Sequence, residues 1–125
     1  MSEKVVNLQN LTIDSAREAI ASGKTSATAL AELHYDRIAS LDGKINSFLA
    51  LSRVRAMTQA QKIDEMAAKG EALPPLAGVP VGIKDVLVMQ GAPATAGSLI
   101  LKGYRPPYDA TVVAKLEAAG AILLG

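Results

Sequence analysis

Apolar residues recur at three- to five-residue steps through the first 70 positions, the spacing that places them on one face of a helix. This pattern predicts three helices, over residues 12–22, 26–41 and 53–69. A threonine at the start of the first helix can cap it, and the Asp42-Gly43 pair is expected to end the second. The first half of the chain is therefore expected to be helical.

Apolar and β-branched residues also cluster in three shorter segments, which predict strands. These segments are residues 46–51, 79–89 and 121–125. Pro80 has no backbone N–H to donate, so the second strand is expected at the edge of a sheet or at a bulge. The third segment is apolar up to its final glycine, as expected for a buried strand.

Turn-forming residues and one more helix occupy the rest of the second half. Residues 70–78 contain two adjacent prolines that exclude a helix, and they predict a linker. Residues 91–98 and 104–109 are rich in small, glycine and proline residues, and they predict loops. A fourth helix is predicted over 109–120, with Asp109 as its cap.

The order of these elements predicts an α/β fold, in which N-terminal helices precede the start of a mixed sheet. Residues 1–125 are expected to be one N-terminal part of a domain, helical over 1–70 and β–loop–α–β over 76–125. Two strands make a poor sheet, so we expect the rest of the domain to be absent from this sequence. An unpaired strand edge and an exposed apolar face should then make the chain self-associate.

Composition narrows the class of protein. Hydrophobic residues make up 50% of the chain and charged residues 20%, which is typical of a globular domain. The net charge of +1 gives no electrostatic reason to expect nucleic acid or a membrane as a direct partner. The absence of cysteine excludes a thiol nucleophile and a disulfide scaffold. No signal-peptide or transmembrane pattern is present, so a cytoplasmic protein is expected.

Lys84 is the principal candidate for chemistry, because it places an ammonium group at the end of an apolar run. On a strand, Asp85 would point to the opposite face and would be a poor ion-pair partner for it. If Lys84 faced a desolvated layer, its amine could be neutral and act as a general base. The alternative is that its stem reaches solvent from the strand end.

Other polar residues have simpler explanations. His34 is the only histidine and lies within an amphipathic helix, so packing or a hydrogen bond at the surface is expected. Ser98 could bind a substrate or cap a turn, and Asp109 is explained as a helix cap. The glycines around Pro80 do not form a phosphate-binding loop, because Asp85 replaces the required serine or threonine. With one histidine and no cysteine, a metal site is not expected.

Three segments resemble the amidase signature family: Leu-Ala-Gly-Val-Pro-Val-Gly-Ile-Lys-Asp at 76–85, the pair Thr95 and Ser98, and residues 106–125. The resemblance implies catalysis by a Ser-cisSer-Lys triad in which Lys84 is the base. The two serines and a glycine-serine-rich segment are expected further along the family's chain, and Ser98 is not their counterpart. The 125 residues alone are therefore expected to be inactive.

Within the family, the N-terminal helices and residues 105–113 resemble the glutamine-hydrolysing subunits of tRNA-dependent amidotransferases. That likeness implies that glutamine is the substrate and that the ammonia passes to partner subunits, which act on Glu-tRNA(Gln) with ATP and Mg²⁺. No cofactor is expected in this chain itself. Two alternatives stay open: part of a stand-alone amidase, and a non-catalytic interaction module, against which Lys84 argues.

Overall fold

The structure of the protein is a computed structural model that describes residues 6–125. Within them, the α-helices are α1 (Ile13–Ala21), α2 (Ala27–Ile45), α3 (Arg53–Ala68) and α4 (Thr111–Ala118). The strands are β1 (Pro80–Val81) and β2 (Ile122–Leu123), and single 3-10 turns cover Leu8–Asn10 and Leu99–Leu101. The expected absence of a signal peptide concerns in part residues 1–5, which lie outside the described residues.

Side-chain oxygens satisfy the free amides at the start of α1 and α2. Thr12 Oγ1 accepts from the Ser15 amide at 3.1 Å, and Ser15 Oγ accepts from the Thr12 amide at 2.9 Å, which confirms the predicted cap. The Asp64 carboxylate, on α3, accepts from the amides of Ala27 (2.6 Å) and Thr28 (3.0 Å) at the start of α2. A negative charge there also interacts favourably with the helix dipole, so this contact holds α3 against α2.

The second helix is longer than the sequence predicted. It continues through Asp42 and Gly43 to Ile45, so its predicted end at residue 41 is wrong. The Asp42 carboxylate does not stop the helix, because it accepts from the amide of Ser47 (2.7 Å), beyond the helix end. Hydrogen bonds from the Ser47 hydroxyl group and from the Ser47 and Phe48 amides lower the pKa of Asp42, and the hydroxyl group makes the largest contribution.

The segment 46–51 is irregular, and the predicted strand is wrong. Asn46 ends α2 in the left-handed conformation, with φ of 55°, which turns the chain away from the extended direction. Just after the segment, the Ser52 amide donates to the carbonyl of Leu124, the residue that follows β2, at 2.9 Å.

The two strands pair in parallel. Backbone hydrogen bonds extend this pairing on both sides, from the Gly78 amide to the Gly120 carbonyl (3.0 Å) and from the Ile83 amide to the Gly125 carbonyl (2.8 Å). Beyond Ile83 the predicted strand 79–89 is wrong, because the chain turns there.

The sheet separates two apolar clusters. Ile122 and Leu124 pack into the cluster formed by α1, α2 and α3, whereas Ala121 and Leu123 pack against α4 and the segment that follows β1. Successive side chains of a strand point to opposite faces, so β2 contributes to both clusters. Helices therefore cover both faces of a parallel pair, which confirms the predicted α/β class.

A buried phenol fixes the end of β2 against the helices. The hydroxyl group of Tyr35, on α2, donates to the Leu124 carbonyl at 2.9 Å. Burial raises the pKa of Tyr35 to about 12, so the hydroxyl keeps its proton and remains a donor at neutral pH. Together with the Ser52 amide, it satisfies a carbonyl that faces the helices instead of β1.

The most exposed large apolar side chains of the described residues lie at two places. Leu49 lies shortly before α3 and Val54 lies in its first turn, whereas Leu99 and Ile100 lie in the second 3-10 turn; each is at least 75% exposed. We expect residues 1–125, expressed alone, to self-associate through such surface. Sedimentation velocity checks this, and a monomer with a sharp cooperative thermal transition would contradict it.

Gly120 and Gly43 should respond oppositely to alanine. Gly120 has φ of +94°, and an added Cβ would lie 2.7 Å from Pro74 Cγ and 2.8 Å from Ala77 Cα. Gly120→Ala should therefore lower the free energy of unfolding by about 1–3 kcal/mol. Gly43 lies in α2 with open space around it, so Gly43→Ala should raise that free energy by about 0.5–1 kcal/mol. Urea unfolding of the two variants checks both, and equal effects would contradict the packing described.

Candidate functional site

Lys84 lies three residues beyond the carboxyl end of β1, beside the end of β2. The preceding amide, of Ile83, donates to the Gly125 carbonyl at 2.8 Å, and the Lys84 carbonyl accepts from the Leu87 amide at 2.9 Å. In open α/β sheets, ligands bind in the crevice outside the carboxyl ends of parallel strands. Lys84 therefore occupies the end of the sheet where such a site is expected.

A cavity of about 470 Å³ opens beside this lysine. Its walls are residues 47–50, residues 82–85 and several residues between 87 and 93, with Gly125 at the end of β2. Gly125 is closely covered, since an added Cβ would lie 2.3 Å from the Ala50 carbonyl oxygen. The segment 46–51, although not a strand, thus forms one wall of the cavity at the carboxyl end of the sheet.

The surroundings of Lys84 in the structure differ in two respects from those that the sequence predicts. Lys84 follows the strand instead of lying on it, so strand alternation does not separate it from Asp85. Its side chain is exposed among residues 6–125, so they do not supply the desolvated layer that a neutral amine requires. Its role as a base stays a prediction.

Asp85 is bound to the loop that follows, not to Lys84. Its carboxylate accepts from the amide of Thr95 at 3.0 Å and from the hydroxyl group of Thr95 at 2.5 Å. Its backbone carbonyl accepts from the Ala96 amide at 3.4 Å. We call these three contacts the Asp85–Thr95 clamp. The two hydrogen bonds from Thr95 lower the pKa of Asp85, the hydroxyl group contributing most.

The loop 91–98 folds back on itself next to the clamp. The Gly97 amide donates to Thr95 Oγ1 at 3.2 Å, and the Ser98 amide donates to the Thr95 carbonyl at 2.8 Å. The hydroxyl oxygen of Ser98 accepts from the Ile100 amide at 3.3 Å, which starts the second 3-10 turn. Of the two explanations for Ser98, the structure therefore favours the turn cap.

Asp109 is not the cap of α4, so that prediction is wrong. The N-cap residue is Ala110, and no side chain caps the helix. Asp109 instead accepts two hydrogen bonds from the Arg55 guanidinium, at 2.9 and 2.7 Å, and one from the Gln90 amide at 2.8 Å. The bidentate contact pairs the carboxylate with a full positive charge through two hydrogen bonds, which explains why it turns toward Arg55.

Arg55 also binds Glu117, and the three side chains form one ion-pair network. Arg55 Nε and Nη2 donate to the Glu117 carboxylate at 2.7 and 2.6 Å. The guanidinium holds the pKa of Asp109 below its usual range, and the two carboxylates raise the pKa of Arg55. No local pattern in the sequence indicates this network, because Arg55 lies 54 positions before Asp109.

The remaining candidates lie outside this site. His34 Nδ1 is 2.8 Å from the Leu30 carbonyl one turn earlier in α2, so this histidine has a structural contact within its own helix. Within residues 6–125, no cluster of three or more histidine or acidic side chains could hold a metal ion. In the same range, no helix combines the length and the apolar character needed to cross a membrane.

Comparison with known proteins identifies the family. The family model described as Amidase matches residues 29–125, and the chain therefore belongs to the amidase family. A glutamyl-tRNA(Gln) amidotransferase subunit from Koribacter versatilis is 54% identical over 120 residues, which are 96% of this chain and 25% of that protein. The corresponding subunit from Anaeromyxobacter sp. (strain K) is 47% identical over all 125 residues, again 25% of its own length. The chain thus spans about a quarter of these curated relatives.

Solved structures with the same fold include amidases. The native peptide amidase of Stenotrophomonas maltophilia superposes with a TM-score of 0.85 at 30% identity, over 93% of this chain and 24% of that one. A chain of the vestigial protein complex that reveals the origins of an s-triazine catabolic enzyme gives 0.88 at 41% identity, over 92% of this chain and 25% of that one. These comparisons confirm the resemblance to the amidase signature family.

The Arg55 network makes a prediction about acid stability. Asp109→Asn should lower the free energy of unfolding at pH 7 by about 1–3 kcal/mol, because it removes a charged acceptor from Arg55. The folded-state pKa of Asp109 is depressed. Its stabilisation is therefore full above the unfolded-state value of about 3.9 and is lost as the pH falls through the folded-state pKa.

The difference between wild type and Asp109→Asn should accordingly shrink below about pH 4. Urea unfolding at pH 7 and pH 3 measures it. Asp14→Asn is the matched control, since the Asp14 side chain is 88% exposed and lies 3.6 Å from Arg17. It should change stability little at either pH, and a similar loss in both variants would count against the network.

Proposed function

We propose that this chain supplies the catalytic lysine of a Ser-cisSer-Lys amidase centre, with Lys84 as the base. The observation that carries the proposal is the position of Lys84. It stands beyond the carboxyl end of β1, beside a cavity, within the segment 76–85 that resembles the family's lysine motif. The exposed side chain leaves its amine accessible to groups contributed by residues outside this sequence.

The proposed chemistry is acyl transfer through a serine. A neutral Lys84 Nζ accepts a proton from the bridging serine, which takes the proton of the nucleophilic serine as that oxygen attacks the amide carbon. The C–N bond then breaks, the proton passes back through the bridging serine to the leaving nitrogen, and ammonia departs. Water hydrolyses the resulting acyl ester. Backbone amides of the glycine-serine-rich segment would stabilise the oxyanion.

Glutamine is the proposed substrate, and the proposal extends to the assembly. Relatives that match 96–100% of this chain are named as glutamyl-tRNA(Gln) amidotransferase subunits. By that likeness, the full-length protein would release ammonia from glutamine in the cytoplasm and pass it to partner subunits. Those subunits would convert Glu-tRNA(Gln) to Gln-tRNA(Gln) with ATP and Mg²⁺, and no cofactor would bind this chain.

A second candidate is a stand-alone amidase that hydrolyses another amide. The likeness to the peptide amidase, at 30% identity and a TM-score of 0.85, favours this alternative. The two candidates differ in what the full-length protein needs, because a stand-alone amidase acts without partner subunits. Assays of glutamine and of a peptide amide, each with and without those subunits, separate them.

Replacement of Lys84 tests the proposed role directly. In the full-length protein with its partner subunits, Lys84→Met should lower kcat for glutamine hydrolysis by about 10²–10⁴-fold, because the base is removed. Lys102→Met is the matched control, since Lys102 is an exposed lysine just after the second 3-10 turn. Its kcat should stay within about twofold of the wild-type value. Residues 1–125 alone should release no ammonia. Retention of the wild-type rate by Lys84→Met would refute the proposal.

A further inference from the structure

The Asp85–Thr95 clamp joins the residue that follows Lys84 to a loop ten positions later. Three hydrogen bonds converge on Asp85, two on its carboxylate from Thr95 and one on its carbonyl from Ala96. Both carboxylate oxygens are used, so the orientation of the Asp85 side chain is fixed relative to the loop. Neither the lysine motif nor the ion-pair network of Arg55 accounts for this contact.

The loop held by the clamp is strained. Ala96 and Gly97 are consecutive residues in the left-handed region, with φ of 49° and 72°. A residue with a Cβ atom is disfavoured there by about 1–2 kcal/mol. Such a conformation persists only where the surrounding structure enforces it, and strained residues cluster at functional sites. The Ala96 amide that donates to the Asp85 carbonyl belongs to this strained pair.

The backbone of Lys84 is thereby held from both sides. On its amino side, the Ile83 amide is bound to the Gly125 carbonyl at 2.8 Å; on its carboxyl side, Asp85 is bound to the loop. The Lys84 side chain itself is exposed, and among residues 6–125 no acidic side chain pairs with it. Within residues 6–125, the backbone contacts on both sides of Lys84 therefore fix the point from which its side chain projects.

We propose that Asp85 and Thr95 are positioning residues that aim Lys84 at its proton donor. This inference rests on the proposed function of Lys84. A general base must lie within hydrogen-bond reach of the proton it accepts, and a displacement of about 1 Å can cost about 10²-fold in rate. The strained loop and the clamp together hold rigid the backbone from which the Lys84 side chain projects.

Substitutions of Thr95 in the full-length protein with its partner subunits test the inference. Thr95→Val keeps the shape and the amide but removes the hydroxyl group that binds Asp85. We expect kcat for glutamine hydrolysis to fall by about 10–100-fold with KM changed less than about threefold. Thr95→Ser restores a hydroxyl group and should recover most of kcat. A clamp that only stabilises the loop would lower the melting temperature and leave kcat unchanged.

Thr58→Val is the matched control. Thr58 is an exposed threonine of α3 whose hydroxyl group donates to the Val54 carbonyl one turn earlier, so the same chemical change is made far from the clamp. Its kcat should stay within about twofold of wild type. If Thr95→Val does not fold, Asp85→Asn is measured instead; it replaces one acceptor oxygen by a donor and should also lower kcat more than KM.

Hydrogen exchange provides a readout that does not depend on turnover. The Leu87 amide donates to the Lys84 carbonyl, so its exchange reports on the backbone at Lys84. Thr95→Val should speed that exchange at least tenfold, and Thr58→Val should not. Unchanged kcat in Thr95→Val, with Lys84→Met inactive, would overturn the inference alone, whether or not the exchange rate changes. An active Lys84→Met would overturn both it and the proposed function.

Discussion

The parallel pairing of β1 with β2 is the constraint on which the rest of the structure depends. The strands are short, yet backbone bonds continue the pairing as far as the Ile83 amide and the Gly125 carbonyl. This contact fixes where the chain leaves the sheet and hence the position of the Lys84 backbone. Helices on both faces then need β2 in one register, because its alternate side chains belong to different clusters.

Polar contacts join the helices to the carboxyl end of β2 and to one another. The Leu124 carbonyl accepts from Tyr35 and from Ser52, so α2 and the start of α3 meet the carboxyl end of β2. Arg55 joins α3 to Glu117 on α4 and, through Asp109, to the segment before the loop 91–98. The base of that loop is therefore braced by α3, and its far side is braced by Asp85.

The sequence predicted the features that depend on local patterns. Helix periodicity and the cap at Thr12 are local, and so is the motif that drew attention to Lys84. The strand 79–89 was overpredicted, because β-branched composition does not reveal the turn that Asp85 and Thr95 impose through a contact ten residues apart. Asp109 failed as a cap for the same reason: its partner, Arg55, lies 54 residues away. Long-range polar contacts overrode local propensity in both cases.

Because β2 contributes to two layers, the chain cannot tolerate a change of length there. Insertion or deletion of one residue in 119–121 would turn Leu123 toward the face that Ile122 fills and would shift Gly125 past the Ile83 amide. The turn at Gly103 differs, since residues 101–105 are exposed and nothing lies within 4 Å of an added Cβ. Natural length variation in this part of the fold should therefore accumulate near Gly103 and be excluded from the last strand.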